Sequence, residues 1–145
     1  MSAVCFSVPG EPVAKGRARF ARRGNFVTTY TPEKTAKYEN LVRLAAQQAM
    51  CGQPPFQRPV SLLVQIWVGV PASWSKKRRE QALRGFIGAT KKPDADNVLK
   101  AIKDGMNGVV YVDDARVTSI TLSKQYGEIP RVEVRASEYT EREAA

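Results

Sequence analysis

No histidine occurs among the 145 residues. That absence removes His-based zinc sites, Ser-His nucleophile pairs and histidine general bases together. Cysteine is almost as scarce. Cys5 and Cys51 are too few for a disulfide framework and stand in no paired metal-ligand spacing, so both are expected to be small buried hydrophobes. No apolar run approaches the roughly 18 residues that a membrane span needs. The segment from Met1 to Pro9 lacks the early basic cluster of a signal peptide and reads as a strand. The expected setting is cytoplasmic, and oxygen-ligand metal chemistry stays open.

Acidic residues are the third scarcity, 14 against 23 Lys and Arg, for a net charge of +9 and a pI near 9.8. Such a surface attracts polyanions. Yet all five aspartates, Asp94, Asp96, Asp104, Asp113 and Asp114, fall in one short window. Clustered carboxylates repel the polyanion that the rest of the chain attracts, unless divalent cations such as Mg²⁺ sit between carboxylate and phosphate.

The length fits one domain with a single core. Val4, Phe6 and Val8 alternate in a first strand that ends at Pro9-Gly10. Lys15, Arg17, Arg19, Arg22 and Arg23 then form a basic loop or ribbon, followed by a short β-rich return over 26–30. Thr31-Pro32 marks a helix start, and Tyr38, Leu41, Leu44, Ala45 and Ala49 predict its buried face up to Met50, with Gly52 as the stop. Val60, Leu62, Val64, Ile66, Val68 and Val70 alternate without a break and predict a central strand. Ser73 or Ser75 caps a short helix to about Arg84, whose Lys76-Lys77-Arg78-Arg79 run reads as a solvated face. A further helix over 94–107 stops at Gly108. An extended apolar piece, Val109 to Val112, leads to Asp113-Asp114, and two strands follow, over 116–126 and 132–134, joined by a turn at Gly127–Pro130. Trp67 and Trp74 are assigned to core or dimer contacts.

On a helical wheel Asp96, Asn97, Lys100 and Asp104 share one face of the 94–107 helix, while Val98, Leu99, Ile102 and Met106 share the other. Burial of the apolar arc holds the polar arc toward an open cleft. Bland explanations exist for each residue: Asp94 and Asp96 as helix caps or dipole partners, Lys100 as an i,i+4 salt-bridge partner, Asp113-Asp114 as a turn. A calcium-binding EF-hand is excluded, because its loop glycine and the glutamate at position twelve are missing.

The stretch Lys92-Pro-Asp94-Ala-Asp96-Asn-Val-Leu-Lys100, with Asp104-Gly-Met-Asn107-Gly108 and Tyr111-Val-Asp113-Asp114 behind it, closely resembles the RusA family of Holliday junction resolvases. Pro9-Gly10-Glu-Pro-Val-Ala-Lys15-Gly16-Arg17 and Tyr30-Thr31-Pro32 resemble the opening of its phage and prophage members. The resemblance covers residues 1–138 as a RusA-like endonuclease domain and leaves 139–145 as a charged tail. It implies an α+β fold, with a mixed sheet packed against two main helices, that forms a homodimer. The implied activity is Mg²⁺-dependent paired nicking of four-way or branched DNA, with Mn²⁺ as a substitute ion. The family's essential acids match Asp94, Asp96 and Asp114, its essential lysine matches Lys100, and Asp113 is a further candidate metal ligand.

In that scheme Lys15, Arg17, Arg19, Arg22, Arg23, Lys91 and Lys92 contact phosphates, so affinity falls steeply with salt. Phe20 is a candidate for stacking on unpaired bases, with Phe26 and Tyr30 assigned to the core. Two other classes compete: a non-catalytic basic DNA-binding protein, and a metal-dependent phosphohydrolase acting on a small nucleotide.

Overall fold

The computed structural model describes residues 2–16, 19–24, 26–30 and 32–139, with 19–23 and 26–30 described by their backbone alone. In chain order the elements are β1 (Ser2–Pro9), β2 (Arg19–Arg23), β3 (Phe26–Tyr30), α1 (Glu33–Met50), β4 (Val60–Gly69), α2 (Lys76–Leu83), α3 (Ala95–Met106), β5 (Val117–Gly127) and β6 (Arg131–Glu138). The fold is α+β, with a mixed sheet ordered β1-β6-β4-β5 and a separate β2-β3 hairpin. The basic segment is therefore a ribbon in its second half. The Thr31 cap lies outside the described residues, and α1 starts behind Pro32 without a side-chain cap.

The expected alternation of β4 is realised: Val60, Leu62, Val64, Ile66 and Val68 are all buried, and β4 lies between β5 and β6. Each such aliphatic side chain, fully buried, contributes about 1.5–3 kcal/mol. Helices α1 and α3 cover this face. From α3 come Val98, Ile102 and Met106 of the expected apolar arc, joined by Ala101 and Gly105, while Leu99 is half-buried.

The buried face of α1 is rotated from the expected one. Thr35, Tyr38, Val42, Ala46 and Met50 are inside, while Leu41 is 37% and Leu44 57% exposed. Gly105 supplies the reason. A Cβ at that position would stand 2.6 Å from Val42 Cγ1 and 2.9 Å from the Glu39 carbonyl oxygen, so the smallest residue of α3 lets α1 approach along the Glu39–Val42 side. Both cysteines are exposed, contrary to expectation: Cys5 alternates outward on β1, and Cys51 ends α1 in a left-handed conformation with φ 54°.

Two further corrections concern connections. The Val109–Val112 piece, expected to be extended, begins as a turn, since the Val109 and Val110 N–H groups both donate to the Met106 carbonyl at 2.9 Å. Tyr111 then bridges to Phe56, whose N–H donates to the Val110 carbonyl at 2.8 Å and whose carbonyl accepts from the Val112 N–H at 3.0 Å. The strands β5 and β6, consecutive in the chain, do not pair with each other. β5 runs parallel to β4 on one side, and β6 runs antiparallel to it on the other. The Glu128–Pro130 link therefore passes across the end of β4. Gly127 permits the crossing, since a Cβ there would lie 2.6 Å from Trp67 Cδ1. Trp67 is half-buried with the Arg131 guanidinium 4.1 Å from its ring centroid.

Candidate active site

At the N-terminal end of α3 the backbone of Asp94 occupies the capping position, but its carboxylate accepts no hydrogen bond from the helix N–H groups. Instead Asn97 Nδ2 donates to Asp94 Oδ2 at 3.4 Å. Asp94, Asp96 and Lys100 are all exposed on the polar arc. Among the described residues Asp96 and Lys100 form no ion pair, so the i,i+4 bridge that would occupy both is not made. Asp96 keeps only its place in the first turn of α3, where the helix dipole favours a negative charge.

Beside Asp94 opens a cleft of about 700 Å³, lined among others by Val13, Gly16, Lys34, Thr35, Lys92 and Asp94. The loop carrying Lys92 and Asp94 is tethered from the sheet: Lys124 Nζ on β5 donates to the carbonyls of Lys91 at 2.8 Å and Pro93 at 2.9 Å. Charge-assisted bonds of this kind are roughly twice as strong as neutral ones. Trp74 packs edge-on against Tyr126 at 5.3 Å, and Lys91 Nζ lies 5.9 Å from the Trp74 ring. Lys124 escaped the sequence reading. Its signal was a charged residue at an inward position in the imperfect alternation of the 116–126 strand.

Lys15 joins α1 and α3. Its N–H donates to the Asn97 carbonyl at 2.9 Å, and its Nζ pairs with Glu39 at 2.5 Å and Asp104 at 2.9 Å. Desolvation pulls the Lys15 pKa down, but the bonds and charges of Glu39 and Asp104 outweigh it and the net direction is upward. Its charge is thus already matched by carboxylates, and Asp104 is engaged with it. Arg17 lies outside the described residues, while Arg19, Arg22 and Arg23 lie on β2, whose side chains are not described. Lys91 and Lys92 are exposed.

Asp113 and Asp114 stand at the other end of α3. The Gly108 N–H donates to the Tyr111 carbonyl at 2.9 Å, and the Tyr111 hydroxyl donates to the Lys103 carbonyl at 2.8 Å, which docks the following residues against the helix C-terminus. Burial, then the charges of Asp114 and Asp104, push the Tyr111 phenol above its ordinary pKa. Asp113 makes the expected turn, with its Oδ1 accepting from the Ala115 N–H at 2.6 Å, whereas Asp114 is exposed and has no side-chain partner among the described residues.

Twelve residues of α3 span about 18 Å. One protomer therefore does not bring Asp94 and Asp96 together with Asp114. Among the described residues no group of three or more His, Cys, Asp or Glu side chains is placed to hold a metal ion. No helix among them is long and apolar enough to cross a membrane.

Two comparisons bear on this arrangement. A family model described as endodeoxyribonuclease RusA matches residues 9–137. A Bacillus subtilis (strain 168) protein described as uncharacterized protein YqaN is 40% identical over 136 residues, which span 92% of this chain and 95% of that protein.

Proposed function

Because the chain belongs to the RusA family of endodeoxyribonucleases, we propose that it is a Mg²⁺-dependent, structure-selective nuclease that resolves four-way DNA junctions by paired symmetric nicks. The observation that carries this reading is the polar arc of α3. Asp94, Asp96 and Lys100 are exposed, Asp94 on a cleft that also presents Lys34 and Lys92; Asp94 makes no side-chain cap bond, and among the described residues Asp96 and Lys100 form no ion pair.

Asp94, Asp96 and Asp114 are the residues that would hold the metal, with the Asp113 carboxylate adjacent. Mg²⁺, when bound, supplies Lewis-acid activation of water and of the scissile phosphate. The three acids stand apart within one protomer, so the reading requires a two-fold homodimer, which also suits a pair of symmetric nicks. β5 is an edge strand whose stretch over 118–121 is exposed. Antiparallel pairing of this edge with its copy, centred near Ile120, sets residue 114 of one chain opposite residue 126 of the other. That position lies near Lys124 and the loop bearing Asp94. The partner's Asp114 then completes the acid set.

Lys100, without an ion-pair partner among the described residues and one helical turn beyond Asp96, would neutralise charge that develops on the attacked phosphate. The basic hairpin, Lys34, Lys91 and Lys92 would draw in the phosphodiester backbone, and a divalent cation would offset the repulsion between that backbone and the acids.

The test is a gel assay with a synthetic four-way junction, a fork and a linear duplex, each with Mg²⁺, Mn²⁺ or chelator. Junction binding in chelator together with symmetric nicking only with metal is expected. Binding without nicking at any metal concentration would make the chain a DNA-binding module. Salt-insensitive hydrolysis of small nucleotides would make it a phosphohydrolase.

A further inference from the structure

Helix α2 is not explained by packing or by helix stability. Of its eight residues only Ala82 is buried, and its first turn is Lys76-Lys77-Arg78-Arg79, all exposed, with no acidic residue. Cations at a helix N-terminus oppose the macrodipole. The helix nonetheless has a defined seat. Ser75 Oγ accepts from the Arg78 N–H at 3.2 Å, and the Arg78 guanidinium stacks 4.1 Å from the Trp74 centroid. Trp74 in turn stands edge-on to Tyr126. Among the described residues Lys76, Lys77 and Arg79 have no ion-pair partner, and the one bridge within α2 and its end is Arg84 to Glu80. Arg78 is thus held on Trp74, and the three neighbouring cations are left uncompensated.

Their location matters as much as their number. Arg78 and Lys91 both engage the ring of Trp74, and Lys91 begins the loop that continues through Lys92 to Asp94. Arg78 and Lys91 on the two contacts of Trp74, followed by Lys92 on the cleft, thus connect α2 to the site. We infer that α2 is a second nucleic-acid surface, which takes the phosphate backbone of a duplex arm as that arm leaves the site around Asp94. The inference rests on the nuclease reading for the identity of its ligand and goes beyond it by adding a contact surface outside the acidic site and the basic hairpin. Duplex phosphate is the occupant that the surface fits: a row of separate, solvent-exposed cations without ion-pair partners among the described residues matches a periodic polyanion.

The test uses the full chain with Lys76→Gln, Lys77→Gln and Arg79→Gln combined. Glutamine is a good helix former, and Arg78 keeps its stacking on Trp74. Binding is measured in chelator, where catalysis plays no part, on junctions with long arms and with arms trimmed to a few base pairs. The slope of log affinity against log salt is expected to fall by about 2–3 for the long-armed junction, near 0.9 for each lost phosphate contact. Affinity for it should fall at least tenfold, while the trimmed junction is little affected. A control removes Arg58, which precedes β4, and Arg135, which is exposed on β6, and leaves the slope unchanged.

An unchanged slope in the triple variant overturns the inference. So does an equal loss per charge in the control, which would be a bulk charge effect, or a loss confined to vesicles of anionic phospholipid. If the wild type never nicks DNA but the triple variant still loses long-arm binding, the nuclease reading fails and the α2 surface stands.

Discussion

Asp94 shows how one side chain separates rival explanations. Its position ahead of α3 made helix capping the economical reading, yet its carboxylate bonds to the Asn97 amide and not to the helix N–H groups. Asp113 and Asp114 separate in the opposite sense, for the first ties the Ala115 N–H and the second is unoccupied. Asp96→Asn is therefore expected to abolish nicking while junction binding in chelator stays equal or tightens, since one repulsive charge near the phosphate is gone. A gel-shift titration beside a cleavage time course checks it, and weakened binding would count against the role. Lys100→Ala should leave affinity within a few-fold but slow single-turnover cleavage at least about tenfold, a loss of about 1.4 kcal/mol in transition-state stabilisation. Residue types and spacing made these candidates legible. Their partners were not legible, because Lys15 with Glu39 and Asp104, and Lys124 with two loop carbonyls, join segments far apart in the chain.

At the scale of elements, regular alternation read well and helix rotation read poorly. β4 declares its burial through every second residue, and the apolar arc of α3 is unambiguous. α1 carries leucines and alanines on more than one side, so its hydrophobicity does not determine which side turns inward; the glycine on α3 does. Forcing an atom into a packed contact costs about 1–3 kcal/mol, more than the roughly 1 kcal/mol of helix propensity that alanine gains over glycine. Gly105→Ala should thus lower the thermal midpoint by a few degrees, as calorimetry would register, where a merely conformational glycine would give a rise. The loop before α3 makes a different prediction. Lys124→Met keeps the length of the side chain but removes both bonds to the Lys91 and Pro93 carbonyls, so hydrogen exchange over 91–97 should accelerate and the Mg²⁺ concentration for half-maximal nicking should rise several-fold, with Lys124→Arg in between. Unaltered exchange in that segment would show that the tether does not hold the loop.

For the whole molecule the decisive fact is that α3 and β5 run in opposite directions between two separated groups of acids. Lys124 is seven residues into β5 from Val117, roughly 23 Å along the strand. A chain that keeps Asp94 and Asp96 at one end of this distance and Asp114 at the other can unite them by doubling, because a two-fold axis through the middle of β5 exchanges its ends. Composition conveys the attraction for a polyanion and the clustering of acids in sequence; it does not convey that neighbours in sequence lie a helix length apart. Mixing two inactive variants tests the arrangement directly. In a heterodimer of Asp96→Asn with Asp114→Asn chains, sites shared across the two-fold axis would place both substitutions in one site and leave the other intact. Random exchange makes half the dimers mixed, each with one working site, so about a quarter of wild-type nicking sites should return. The product should be single nicks, not paired resolution, because each mixed dimer cuts one strand. If each protomer instead supplied its own complete set, both sites of the mixed dimer would carry a substitution, and remixing the variants after denaturation would yield no cleavage at any ratio.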